Sequence, residues 1–169
     1  MALIRALQQS ATSVRLLIRD YPNIIQYTDA CGLGAGGVVV PGTDDTKHYV
    51  WQFKWPEDIK SRLITWKNPN GDLTINNLEL AALVLGWLVI EYTNADLQFK
   101  HIGSFCDNTP TVAWATKGHT SKSIAAGRLL RLLLLRQRQR QCSALIPHHL
   151  AGEDNKMADI PLRAFKNSE

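Results

Sequence analysis

Apolar and polar positions alternate over residues 24–30, which predicts a strand with Ile25, Tyr27 and Asp29 on one face. Upstream, Leu3, Ile4, Leu7, Val14, Leu17 and Ile18 recur at helical spacing. They predict an amphipathic helix within residues 1–22, packed on or leading into a domain over 23–169. Gly32, Gly34, Gly36 and Gly37 predict a tight hairpin whose return strand begins at residues 38–40, and residues 49–54 read as a third strand. Residues 55–72 lose all periodicity and carry Pro56, Pro69, Asn70 and Gly71, an irregular excursion with room for a short edge strand.

Thr74 or Asn76 can cap a helix that runs to about Tyr92 through Leu78, Ala81, Ala82, Leu85 and Val89. Residues 97–107 predict a strand with Leu97, Phe99, Phe105 and Asp107 on one face. Helices follow near 109–117 and 123–141, then a strand over 143–148 and, beyond Gly152, a terminal helical segment. Three strands, a helix, a strand, helices, a strand and a helix make an α/β domain. Its sheet is mixed and five-stranded, an antiparallel meander continued by parallel strands through helical crossovers, with helices on the faces.

Composition narrows the function classes. An apolar fraction of 45% and a charged fraction of 20% over 169 residues belong to a folded domain rather than a disordered chain. The net charge of +4 favours polyanionic partners. Cys31, Cys106 and Cys142 lack C-x-x-C spacing, so a disulfide framework and a zinc knuckle are both disfavoured. No uninterrupted apolar run reaches the ~18 residues a bilayer requires, and no secretory pattern is seen. Arg5, Arg15 and Arg19 without acids give the first residues the look of a transit peptide, which the helical spacing explains as well. The expectation is an intracellular, cytoplasmic or nuclear, monomeric protein with no membrane contact.

The acids carry the chemistry. Asp29 ends the first strand and Asp107 the fourth. If a helical crossover makes these strands parallel neighbours ~4.8 Å apart, both carboxylates lie at one sheet edge. Glu79, in the first turn of the crossover helix, and Asp159, in the last helix, can close the group. Two carboxylates ~4 Å apart repel by about 4 kcal/mol at an effective dielectric of 20, so such a group calls for protons or metal. Oxygen donors without a Cys or His cluster select Mg²⁺ or Mn²⁺.

The acids stand in Tyr27-Thr28-Asp29-Ala30, Asn76-Asn77-Leu78-Glu79-Leu80, Cys106-Asp107-Asn108 with Val112-Ala113-Trp114, and a stretch from His149 to Asp159 of the form H-x-x-G-x-x-N-x-x-A-D. Together these motifs resemble the ribonuclease H family, in its reverse-transcriptase-linked retroelement version, over residues 27–163. The resemblance implies a ribonuclease H-like fold and an endonuclease that hydrolyses the RNA strand of RNA–DNA hybrids, leaving 5′-phosphates. It implies Asp29, Glu79, Asp107 and Asp159 as ligands of two Mg²⁺ (Mn²⁺ substituting). It also implies His149 in a loop assisting proton transfer or product departure, with His148 the strand-end histidine. Asn76 falls where the family reads substrate hydroxyls, or is simply a helix cap. The sequence departs from the pattern at Cys31, where relatives often have Ser, at the long segment 44–72, and at Pro161, which would kink the helix carrying Asp159.

Arg128, Arg131, Arg136, Arg138 and Arg140, with Lys117 and Lys122 upstream, form the most basic stretch. With Asn76 and Asn108, the residues Lys122, Arg131, Arg136 and Arg138 are the expected substrate contacts, phosphates of the hybrid being theirs to bind. The same arginines also fit a solvated helix face, and Trp114 fits core as well as substrate. A reverse transcriptase domain in the same polyprotein is the expected partner besides the hybrid. Two rivals share the fold: a nuclease or transposase acting on DNA, and a non-catalytic connection module of a reverse transcriptase.

Overall fold

A computed structural model of the chain describes residues 22–42, 47–142 and 144–166. Among the described residues, ten elements run in the order β1 (Ile24–Ala30), β2 (Gly34–Pro41), β3 (Tyr49–Lys54), α1 (Glu57–Lys60), α2 (Ile75–Thr93), β4 (His101–Cys106), α3 (Thr109–Lys117), α4 (Ile124–Gln139), β5 (Ala144–His149) and α5 (Lys156–Lys166). The strands form one sheet in the order β3-β2-β1-β4-β5. The β1–β2 and β2–β3 pairs are antiparallel, and β1–β4 and β4–β5 are parallel. This is the mixed sheet expected from the order of elements. The helix expected within residues 1–22 falls outside the described residues except for Pro22.

Alternation along β2 divides the helices between two faces. Ala35 and Val39 pack under α2, with Leu78, Ala82, Leu83, Val84, Trp87 and Ile90. Gly34 and Gly36 turn the other way, toward α5. A Cβ on Gly34 would lie 2.7 Å from the Phe165 ring, and one on Gly36 would lie 2.9 Å from Pro161 Cβ. These glycines therefore belong to β2 rather than to the hairpin turn, which is confined to residues 31–33 and closed by Cys31 N–H donating to Gly34 O (2.9 Å). Their missing side chains let a helix lie directly on the sheet.

Helix α2 is the core's axis. Each fully buried large side chain on it, such as Leu80, Leu83, Trp87 and Ile90, contributes about 1.5–3 kcal/mol relative to exposure. By length and mean hydropathy this helix would suffice to cross a bilayer, although Glu79 and Glu91 interrupt its apolar run; 61% of that 18-residue window is buried inside the protein. Its cap is Thr74, whose backbone N–H donates to Asn77 Oδ1 (2.9 Å), so Asn76 is not the cap. Because the helix starts at Ile75, Glu79 opens its second turn rather than lying in its first.

Other boundaries shift for local reasons. Residues 97–100 turn instead of extending β4. Asp96 Oδ1 accepts from Gln98 N–H (2.9 Å), and Phe99 takes a left-handed φ of 59°, leaving it exposed. The excursion holds α1 and two isolated bridges, Leu63 with Leu73 and Thr65 with Asn68, in place of an edge strand. Helix α4 stops at Gln139. The kink expected at Pro161 does not end α5: Pro161 is fully buried against Gly36, and its carbonyl accepts from Gln52 Nε2 (2.6 Å). Packing on the sheet thus compensates for the hydrogen bond that proline cannot donate.

Candidate active site

The paired residues Tyr27 and Phe105 of the parallel β1–β4 ladder set the site. Two residues further along both strands, Asp29 and Asp107 come level at the carboxyl end of the sheet. Glu79 enters from α2. One oxygen from each of the three acids lies within 4.8 Å of the others. At that spacing each ionised pair repels by about 3–4 kcal/mol for an effective dielectric of 20.

Electrostatics follow from burial. Glu79 is 4% exposed, and its Oε2 is buried without a hydrogen-bond partner. Burial, then the charges of Asp29 and Asp107, push the Glu79 carboxyl up to about 9. Burial and Asp107 also raise Asp29. Glu79 therefore keeps its proton at neutral pH and shares it with Asp29. The neighbouring Cys106 thiol, pushed up to about 12 mainly by burial, stays protonated and inert. None of Cys31, Cys106 and Cys142 is in a disulfide.

Asp159 stands apart from this group. Helix α5 brings it near enough for its charge to raise Asp29. Its own carboxylate, however, is held by Arg163 one turn on (Oδ2 to Nη2 2.6 Å, to Nε 2.7 Å). The i,i+4 spacing of Asp159 and Arg163 is the signal from which this pairing is readable. His149 is not in a loop: it ends β5, and its Nε2 lies 3.1 Å from Asp107 O. His148 stacks on Phe105, which stacks in turn on Tyr27.

Two residues within the His149–Asp159 stretch acquire clear structural tasks. Gly152 faces the Asp107 carboxylate so closely that a Cβ would sit 2.9 Å from Oδ2. Buried Asn155 donates to Thr28 O (3.2 Å), tying the loop before α5 to β1. Asn76 and Asn108 form a second pair beside the acids: Asn108 Nδ2 donates to Asn76 Oδ1 (2.8 Å), while Asn108 Oδ1 caps α3 through Thr111 N–H (2.9 Å).

Asn76 lies between two grooves. One, of about 760 Å³, is lined by Arg62, Ile64, Thr74, Trp114, Lys122 and Arg128. The other, of about 440 Å³, is lined by Trp114, Lys117, His119 and Lys122. Trp114 forms part of these walls and packs against the Leu80–Ala126–Leu130 cluster, which is the core placement expected of it. Among the arginines of α4, Arg128, Arg131 and Arg138 are exposed. Arg136 and Arg140 both bond the buried carboxylate of Glu91 through Nε (2.5 and 2.9 Å). The helical phase that separates Arg131 and Arg138 from Arg136 and Arg140 is what brings the second pair within reach of Glu91 on α2.

No protein-family model and no curated protein matches this chain. Solved structures do share its fold. The ribonuclease H1 LC11 in complex with an RNA/DNA hybrid superposes with a TM-score of 0.57 at 15% identity, covering 82% of this chain and 91% of that one. That protein was isolated from compost by a metagenomic approach. The ribonuclease H1 of the halophilic archaeon Halobacterium salinarum NRC-1 gives 0.54 at 15%, covering 86% and 97%. The protease-reverse transcriptase of prototype foamy virus gives 0.50 at 14%, covering 88% of this chain and 22% of that chain. The chain has a ribonuclease H-like fold.

Proposed function

We propose that the protein is a metal-dependent endonuclease that hydrolyses the RNA strand of RNA–DNA hybrids and derives from a retroelement. The observation that carries this reading is the meeting of Asp29, Glu79 and Asp107 at the carboxyl end of the β1–β4 pair. A buried, partnerless Glu79 oxygen beside two further carboxylates is a donor set for a hard divalent cation. Asp29, Glu79 and Asp107 would hold Mg²⁺ or Mn²⁺, two ions by family resemblance, with Asp159 the fourth acid once released from Arg163. Bound there, such ions would activate water and stabilise the leaving oxygen of a phosphodiester.

The chain's own groups supply the rest. The Asn76 amide, whose Oδ1 accepts from Asn108 Nδ2, would donate to a sugar hydroxyl beside the acids. His149, whose Nε2 lies 3.1 Å from the Asp107 carbonyl oxygen, would pass a proton toward solvent. Lys122, Arg128, Arg131 and Arg138, all exposed, would meet phosphates. A solved neighbour bound to an RNA/DNA hybrid and another that is a viral protease-reverse transcriptase favour the hybrid as substrate and a polyprotein as origin.

The deciding experiment offers the protein, with Mg²⁺, equal amounts of labelled hybrid, duplex RNA, duplex DNA and single strands. Selective cleavage of the hybrid's RNA, abolished by chelator, is the expected result. Preferential cleavage of DNA would transfer the protein to the transposase-like reading. No cleavage, with hybrid still bound, would make it a connection module.

A further inference from the structure

The excursion between β3 and α2 is built to hold its tip still. Thr65 and Asn68 exchange backbone hydrogen bonds (3.1 and 3.0 Å), and Asn68 Nδ2 donates to Ser61 O and Leu63 O (2.8 and 2.9 Å). Arg62 grips Asp72 through Nε and Nη2 (2.9 and 2.6 Å). Gly71 lies against Arg62 O, where a Cβ would come within 2.5 Å. Only the base of this segment joins the core, through Trp55, Leu63 and Leu73.

What the tip presents is Trp66, 87% exposed, with the Lys67 ammonium 5.4 Å from its ring centroid. A large apolar ring held in water by an ordered turn contributes little to folding and is therefore available for recognition. Its surroundings name the partner. Ile64, two residues away, lines the larger groove together with Lys122, Arg128 and the Arg62–Asp72 ion pair, and that groove reaches Asn76 beside the acids. An exposed aromatic face two residues from a groove that carries Lys122 and Arg128 matches a nucleic-acid strand, whose bases stack while its phosphates take the charge.

The ring also discriminates between kinds of strand. Bases inside a duplex have both faces covered by neighbouring pairs, whereas an unpaired base has a face to offer. We propose that the excursion is a second nucleic-acid contact, in which Trp66 stacks on an unpaired base of a single strand adjoining the hybrid. This rests on the nuclease reading above and adds to it a preference for hybrids that carry a single-stranded tail.

The test measures binding by fluorescence anisotropy in chelator, with blunt hybrid and with the same hybrid carrying a thymidine tail at either end of its DNA strand. The parent should bind a tailed hybrid more tightly than the blunt one. Trp66→Ala should weaken tailed binding about tenfold and leave blunt binding and the melting temperature unchanged. Trp66→Phe should retain most of the tailed affinity, since the ring face is kept. Equal losses on blunt and tailed hybrids would place Trp66 on the duplex and overturn the proposal, as would no loss on either. Both of those results leave the nuclease reading standing, provided the parent binds and cleaves hybrid. A parent that binds no hybrid in any form would bring down both.

Discussion

Glu79 holds the proton on which the metal-free site depends. With its carboxyl at about 9 in the folded protein and near 4.5 when exposed, the unfolded chain loses that proton first as pH rises. Stability should therefore be greatest below about pH 4.5 from this group, fall through the window up to about 9, and level off above it. Thermal melts in chelator from pH 5 to 9 should show that decline, and Glu79→Gln should flatten it. A decline equally steep in Glu79→Gln would place its source elsewhere. Asp107→Asn, which removes one charge from the cluster, should raise the melting temperature in chelator. Either Asp29→Asn or Asp107→Asn should lower hybrid cleavage by several orders of magnitude while the protein stays folded. Residual cleavage within about tenfold of the parent would remove that residue from the catalytic set. Loss of His149 should be milder, within about 10²–10⁴-fold, because water can carry the proton in its place.

Among the elements, α4 divides its arginines between two tasks, and salt separates them. If Lys122, Arg131 and Arg138 meet phosphates, each change to Ala should flatten the salt dependence of hybrid binding by roughly one unit. Arg136→Ala should leave that slope alone and lower the melting temperature instead, since Glu91, 8% exposed, loses a partner. A slope that responds to Arg136 as strongly as to Lys122 would show that the Glu91 clamp opens on substrate. Periodicity could reveal the two helical faces of α4 but not which would find an acid, because Glu91 is forty-five residues away in sequence. Sheet order and the convergence of Asp29 with Asp107 were legible because strand alternation and a crossover suffice to fix them. The glycines of β2 were misplaced for the opposite reason: Gly34 and Gly36 answer to Phe165 and Pro161, contacts that no local pattern announces. Pro161 was misjudged likewise, since its tolerance in α5 comes from the sheet beneath it.

Over the whole molecule, the three gathered acids come from residues 29, 79 and 107, so the cluster exists only once β1, α2 and β4 are assembled. A divalent ion should therefore bind the folded state and raise its melting temperature, and the rise should grow with the logarithm of ion concentration. Binding at neutral pH should also expel about one proton per protein, chiefly from Glu79, readable as a buffer-dependent heat in titration calorimetry. A Mg²⁺ titration that shifts neither melting nor proton balance would remove the metal from the site.

The same repulsion bears on how such a chain persists through generations of copying. Substituting Asn or Gln at the cluster relieves crowding, so a lineage under selection for folding alone has a downhill mutational step open to it at each of Asp29, Glu79 and Asp107. Most random changes destabilise a protein, which makes the stabilising ones among the first that drift should fix when activity no longer matters. A copy that keeps all three acids is being held against that gradient, and in such a lineage loss of activity should appear first as a quieter kind of decay: a better-folded protein with one acid fewer.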